Sequence, residues 1–511
     1  VGLPYVLELG YDGCVIFFHC MPPFAEAFFP SVAFMIREES QHSKVTFVMQ
    51  FASGTAIRPH WHSIYNQASQ GRSPAEIEIG RLGPEIEFTS RDCSAPLRPT
   101  APDAIMTVNV ESHERDGQRV VEVVGDESLY ALIVIDSTIR GRSRGGLRIV
   151  PDLSEAELRA AAHSMTLKYG LLGLPQGGAK AGIRGDPESS PEERRQLLND
   201  FAAAVRPYLM QRVYQPDADL GTGGEDIRSM MCSLGLAVKH REWRGRDSGY
   251  YTAVSCVAAA EAAVGWRQGQ IEGSKVAIEG FGSVGSVVGD LLVRRGAKVV
   301  AISTSQGALY DPEGLDVDRL RAMATKMGSR IVREYDPSRA IQREDLLELP
   351  VDLLFPCARH HSLHQENASR VAAPVVCPGA NNPATPEAEV ALFDRGHLFL
   401  PDFVCNSGGV LGGTMEFAGI SLEQTTTLIE AWMRKTMLDF LAQAQRGART
   451  VRSIAEPVAL KRHKAVSAAS ENPTLRSRVM GLALESHRRG WLPESWVGSL
   501  SKPYFRKSLG L

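Results

Sequence analysis

The stretch Lys275-Val276-Ala277-Ile278-Glu279-Gly280-Phe281-Gly282-Ser283-Val284-Gly285 decides the fold. Lys275 to Glu279 is a short β-rich run, a helical stretch follows the last glycine as far as Arg295, and Val299 to Ile302 is a second apolar run. Strand, glycine loop, helix and strand in that order are the setting in which G-x-G-x-x-G spacing binds a dinucleotide. Gly280 permits the tight turn, Gly282 lets backbone approach a pyrophosphate, and Gly285 lets helix and strand pack closely. Ser283 and Val284 complete the loop, which ends at the helix N-terminus, where free amides hold phosphate. The acidic residue usual for the ribose hydroxyls at the end of the second strand is missing, and Ser303-Thr304-Ser305 stands there instead. With no carboxylate at Thr304 to repel a 2′-phosphate, both NAD and NADP are admitted.

The chain around this unit has 511 residues, room for roughly two to four domains. Hydrophobic residues at 43% and charged residues at 23% fit a globular chain and exclude a wholly disordered or fibrous one. A net charge of −3 gives no electrostatic reason to bind nucleic acid or an anionic membrane, which leaves small-molecule chemistry. Eight cysteines without a Cys-x-x-Cys pair form neither a disulfide framework nor a zinc knuckle, so a reducing, cytoplasmic setting is expected. Residues 1 to 36 are apolar, but Asp12, His19, Pro22, Pro23 and Glu26 interrupt them before the roughly 18 residues of a membrane span. No Lys or Arg precedes Arg37, so the charged leader of a secretory signal is not expected.

Residues 1 to 100 have no sustained period and receive no fold. Leu132 to Ile135 reads as a buried strand and Arg140 to Gly146 as a glycine-punctuated loop. Ser154 with Glu157 predicts a capping box and a helix to about Lys168, and Ser190, Pro191 and Glu193 predict another to about Tyr208. The last hundred residues read as helices, with an excess of Lys and Arg after Arg449 that fits a solvated face or a contact with an acidic neighbour, the solvated face being the simpler reading.

Leu174-Pro-Gln-Gly-Gly-Ala-Lys180-Ala-Gly182 predicts a small-residue loop in which backbone can approach a substrate and the Lys180 ammonium can lose solvent. Lys168 ends the preceding helix, and two ammonium groups in one pocket depress each other's pKa, so that one could act as a base near neutral pH. Asp219 precedes a glycine turn, at Asp219-Leu-Gly221-Thr222. From spacing alone, surface lysines and an N-cap aspartate are the simpler reading.

Beyond spacing, residues 130 to 460 resemble the glutamate/leucine/phenylalanine/valine dehydrogenases. The motifs are Gly145-Gly146-Leu-Arg148, Met165-Thr-Leu-Lys168, Leu174 to Pro187, Asp219-Leu-Gly221-Thr222, Gly280 to Gly285, Gly379-Ala-Asn381-Asn-Pro383, Pro401-Asp402 and Asn406-Ser-Gly408-Gly409-Val410. The resemblance implies reversible oxidative deamination of an L-amino acid to a 2-oxo acid and ammonia with NAD or NADP. It implies that Lys168 holds the substrate α-carboxylate, Lys180 activates water, and Asp219 shuttles protons with the amino nitrogen. Gly145 and Gly146 match the loop beside that carboxylate, while Thr252 and Asn381 match positions near the nicotinamide. Arg144 stands where glutamate-specific relatives carry a lysine toward the side-chain carboxylate, which favours glutamate. Gly413 replaces a serine expected to contact the same group, and Ala358 to His364 replaces the usual Glu-Asn-Gln-Ile element. A branched-chain or aromatic substrate and a catalytically silent nucleotide-binding regulator are the alternatives.

The implied fold is α/β: a mixed-sheet substrate domain over 101–245, a Rossmann domain over 246–415, an active-site cleft between them, and C-terminal helices over 416–511 that return to the substrate domain. Residues 1–100 remain an unassigned extension. A homo-oligomer is expected, with neither nucleic acid nor membrane as partner. No metal is expected: Cys357, His360 and His364 lack a helical frame and a fourth ligand. His60-Trp-His62 lacks an acidic ligand at suitable spacing. Cys256, Cys357, Cys377 and Cys405 read as small apolar residues.

Overall fold

The computed structural model describes residues 32–39, 44–51, 108–125, 129–236, 248–488, 491–492 and 494–511. Residues 1–92 and 93–511 form two compact units. In the first, β1 (Val32–Glu39) and β2 (Lys44–Phe51) pair antiparallel from Val32↔Phe51 to Glu39↔Lys44. The sequence reading assigned no strand here, although Val45, Phe47, Met49 and Phe51 alternate along β2. His60 and His62 lie outside the described residues.

The second unit holds two sheets. One is ordered β3 (Asn109–Arg115), β4 (Gln118–Val124), β5 (Tyr130–Ile135), β7 (Gly177–Arg184), β6 (Ser143–Val150) and β8 (Tyr214–Ala218). The β3-β4-β5-β7 part is antiparallel, and β7-β6-β8 is parallel. Helix α1 (Glu155–Leu172) lies over β7, where a side chain on Gly178 would strike the backbone of Thr166. Helices α2 (Pro191–Ala204) and α3 (Gly224–Ser233) cover the other face, burying Leu147, Ile149, Ile183, Phe201 and Ile227.

Four expectations are corrected. Arg140 to Gly146 is a loop only to Arg142, and the lysine stretch is strand β7 from Gly177. Glycine and alanine make both stretches look like loops, but here they let strands and α1 approach closely. The helix expected to stop at Lys168 runs to Leu172 and ends at Gly173, whose φ of 67° suits glycine. The helix from Pro191 breaks at Val205, and a short one from Arg206 to Met210 follows, with Pro207 in its first turn.

The other sheet is ordered β12 (Ala340–Ile341), β11 (Gly307–Tyr310), β10 (Lys298–Thr304), β9 (Lys275–Glu279), β13 (Leu353–Pro356), β14 (Val375–Val376) and β15 (Leu398–Phe399). Strands β10 to β15 in that row run parallel, with β11 and β12 as an antiparallel edge. The order reverses at β9, so the ends of β9 and β13 flank the crevice where such sheets bind ligands. Helix α4 (Ser248–Trp266) is apolar on all sides and deeply buried, with α5 (Gly285–Val293), α6 (Gly408–Phe417) and α7 (Leu422–Gly447) packed on it. Helix α8 (Val451–Glu471) then returns to α1, where Gly170 meets the carbonyl of Ala459. None of the described helices is long and apolar enough to cross a membrane.

Candidate active site

Successive strand residues face opposite sides of a sheet. Leu147, Ile149, Ala179, Ala181 and Tyr214 point into the core under α2 and α3. Arg144, Gly146 and Arg148 of β6, Lys180 of β7 and Asp217 of β8 therefore share the α1 face, and Asp219 follows directly on β8. The register sets Arg144 beside Gly178 and Gly146 beside Asp217.

On that face the Lys180 ammonium donates to Asp219 Oδ2 at 2.7 Å. Arg148 Nε donates to the same oxygen at 3.0 Å, and its other nitrogen donates to Glu157. This explains why the first predicted capping box is half formed: Ser154 accepts from the Glu157 amide, but the Glu157 carboxylate is held by Arg148. The second box, at Ser190 and Glu193, is complete. Burial lowers the Lys180 pKa, and Arg148 lowers it further against the pull of Asp219. Burial alone would raise the Asp219 carboxyl, but Lys180 and Arg148 outweigh it and hold the group well below the carboxylate range. Arg148 is thus a further cation beside Lys180, one that the sequence pattern does not mark, in addition to the expected Lys168.

Lys168, on α1, donates to Asn381 Oδ1 at 2.7 Å, and Asn406 donates to the same oxygen at 3.1 Å. Burial lowers its pKa to about 8, with Lys180 a lesser contributor. The neighbouring Asn382 accepts from Ser164 of α1 at 3.0 Å, and its backbone N–H donates to Asp402 at 2.9 Å. Asp402 is fully buried and accepts from Arg452 of α8 at 2.6 Å, while Arg452 also donates to buried Glu389. At Arg452 the basic stretch therefore makes the contact with acidic neighbours, while Lys461 and Lys464 are exposed. Nothing local marked Arg452, because its partners lie 50 and 63 positions away.

Gly145 and Gly146 are tightly enclosed. A side chain on Gly145 would strike Ala179 O at 1.7 Å, and one on Gly146 would meet Asp219 Cβ at 2.7 Å and Lys180 Nζ at 3.0 Å. Arg144 grips Asp217 with two nitrogens, each at 2.6 Å. A side chain on Gly413, in α6, would meet nothing within 4 Å.

In the glycine loop, Gly280 has φ 87°, and a Cβ on Gly285 would lie 2.0 Å from Gly280 O, so this glycine permits the strand-to-helix turn. Beside Gly282 the space is open, as close approach of a pyrophosphate requires. Ser283 adjoins Gly249 at the start of α4, and Val284 adjoins Gly379. Asn382 Nδ2 and Asn406 Oδ1 are buried without a hydrogen-bond partner beside Asn381, a lining that suits a carboxamide. These residues fit a nicotinamide dinucleotide. Thr252 lies one helical turn from Ser248, whose carbonyl it bonds, and adjoins Gly409. Thr304 donates to Ser329 O at 2.7 Å and accepts from Gln306 N. Sequence reasoning missed Glu279, buried at the end of β9 and held by Ser362 at 2.8 Å; burial raises its pKa to about 7.

His360 and His361 stack with ring centres 3.5 Å apart, and burial together with His361 lowers the His360 pKa to about 4. Among the described residues no group of three His, Cys, Asp or Glu converges as metal ligands would. Cys256, Cys377 and Cys405 are fully buried thiols, and Cys357 is partly buried.

Comparison with known proteins gives one family. Residues 246–470 match Glutamate/Leucine/Phenylalanine/Valine dehydrogenase, and residues 102–234 match Glu/Leu/Phe/Val dehydrogenase, dimerisation domain. A NAD-specific glutamate dehydrogenase of Staphylococcus aureus (strain COL) is 36% identical over 284 residues, 53% of this chain and 67% of that protein. Glutamate dehydrogenase A2 of Halobacterium salinarum is 34% identical over 356 residues, 67% of this chain and 83% of that one. The crystal structure of the hetero-hexameric glutamate dehydrogenase of Thermus thermophilus superimposes with TM-score 0.60 at 26% identity, over 71% of this chain and 88% of that one.

Proposed function

The chain belongs to the glutamate/leucine/phenylalanine/valine dehydrogenase family, and from that premise we propose how it works. It is an amino-acid dehydrogenase that interconverts an L-amino acid, glutamate foremost, with the 2-oxo acid and ammonia. The substrate class follows the relatives named as glutamate dehydrogenases. The observation that carries the reading is the ion pair of buried Lys180 with Asp219 on the sheet face covered by α1, the helix that bears Lys168.

When bound, a nicotinamide cofactor, NAD or NADP, would supply the hydride acceptor for deamination. Gly280, Gly282, Ser283, Val284 and Gly285 would hold it, with Thr304 toward the ribose end and Thr252 and Asn381 toward the nicotinamide end. Lys168 anchors the α-carboxylate beside Gly145 and Gly146, fixing Cα relative to the nicotinamide. Lys180, its ammonium destabilised by burial, gives its proton up readily and takes one from the water that adds to the imino carbon. Reprotonated, it stabilises negative charge on the oxygen. Asp219, kept ionised by Lys180 and Arg148, accepts a proton from the amino nitrogen.

Residues 101–245 form the substrate domain, 246–415 the dinucleotide-binding domain, and 416–511 the C-terminal helices. The two sheets and the return of α8 to α1 support this division. The protein assembles as an oligomer, which we read as a homo-oligomer formed through the substrate sheet. Every residue of β3, the strand at one edge of that sheet, is exposed. A cytoplasmic setting completes the reading.

The test is reductive amination, followed through consumption of NADH or NADPH with ammonia and a panel of 2-oxo acids, wild type beside Lys180→Ala. The expected result is turnover that falls about 10²–10⁴-fold in the variant while cofactor binding persists. Equal turnover by the variant would overturn the reading, and cofactor binding without turnover in the wild type would favour a silent regulator.

A further inference from the structure

We propose that Asp217 is a built-in competitor for Arg144, so that an acidic substrate must take the guanidinium from it. The inference rests on the reading of Arg144 as the contact for the substrate side chain. Arg144 and Asp217 lie on the same sheet face as Lys180 and Asp219. Lys180 stands level with Gly146, and Arg144 is two residues earlier on β6, about 7 Å along a strand. A substrate with its Cα over the Lys180–Asp219 pair points its side chain along this face toward one of two cationic groups. In the other direction, Arg148 is buried and committed to Asp219 and Glu157. Arg144 and Asp217 keep side-chain exposures of 46% and 32%, so their pair is reachable from solvent.

The pairing is bidentate, with Nε and one terminal nitrogen each 2.6 Å from a separate Asp217 oxygen. That is the geometry by which an arginine would grip a substrate carboxylate. A second carboxylate brought there meets repulsion from Asp217 until the pair opens. An apolar side chain makes no such demand. The pair thus penalises glutamate relative to apolar amino acids, and it does so in binding.

The experiment measures KM and kcat for the 2-oxo acid of glutamate and for one with a branched apolar side chain in wild type, Asp217→Asn, Asp217→Ala and Arg144→Ala. Asp217→Asn keeps the side-chain shape. The expected result is a KM for the acidic substrate about ten-fold lower in both Asp217 variants, with the apolar substrate's KM shifting less than about three-fold. Arg144→Ala is expected to raise the acidic substrate's KM. If it does so while neither Asp217 variant lowers that KM, the competition is overturned and the reading of Arg144 stands. If Arg144→Ala leaves that KM unchanged, the reading of Arg144 falls and the competition with it.

Discussion

The Lys180 ammonium and the Asp219 carboxylate meet at 2.7 Å directly above Gly146, the residue whose missing side chain makes room for them. Their contact reaches across β6, from β7 to the segment that follows β8, and the pairing of β6 with both strands sets it.

Gly146→Ala therefore tests the site without removing a functional group. The new methyl would sit 2.7 Å from Asp219 Cβ, too close to be relieved by rotating a side-chain end. Turnover should fall about 10²-fold, as for a displacement near 1 Å. Steady-state kinetics should record that fall beside a stability loss of about 1–3 kcal/mol by denaturant unfolding. A variant with wild-type kcat would mean that Lys180 and Asp219 move freely over β6.

Arg452→Ala should destabilise the fold by about 3–5 kcal/mol, because Asp402 and Glu389 would be left buried without their cation. The same change should loosen Asn382, whose N–H donates to Asp402, and with it the loop that engages Lys168. Thermal unfolding and the KM for the amino acid should shift together. Asp402→Asn should move the KM less, since an amide oxygen still accepts the Asn382 N–H.

His163 on α1 supplies a pH test. Its ring contacts Asp136 at 3.2 Å and Glu456 of α8 at 3.6 Å, and hydrogen bonding to Asp136, then Glu456, raises its pKa to about 9. A group whose folded-state pKa lies above its ordinary value stabilises the fold in its protonated form. The contribution is complete below about pH 6.5 and declines to nothing as the pH rises through about 9. The Tm difference between wild type and His163→Gln should therefore be largest at pH 6 and vanish above about pH 9.5. A constant difference across that range would rule out the linkage.

The dinucleotide loop was legible because its signal is local. Three glycines within six residues, a preceding strand and a following helix are all set by neighbours along the chain, and β9, α5 and β10 form where the pattern places them. The lysines and Asp219 were legible as residues but not as a site, since spacing alone favoured surface lysines. The strand of Lys180 looks like a loop because glycine and alanine lower intrinsic strand preference, while the packing of α1 on β7 requires a glycine at 178.

By itself the sequence determined the α/β class, the dinucleotide unit, the helix starts at Ser154 and Ser190, and which groups are available for chemistry. Only the tertiary structure decided that Arg148 is paired with Asp219 beside Lys180, that Arg452 is paired with buried Asp402, and that Arg144 faces Asp217. Those partners stand 71, 50 and 73 positions apart. Periodicity and capping act over a few residues, whereas the choice of ion-pair partner depends on strand register and helix docking, which emerge only when the whole core is packed.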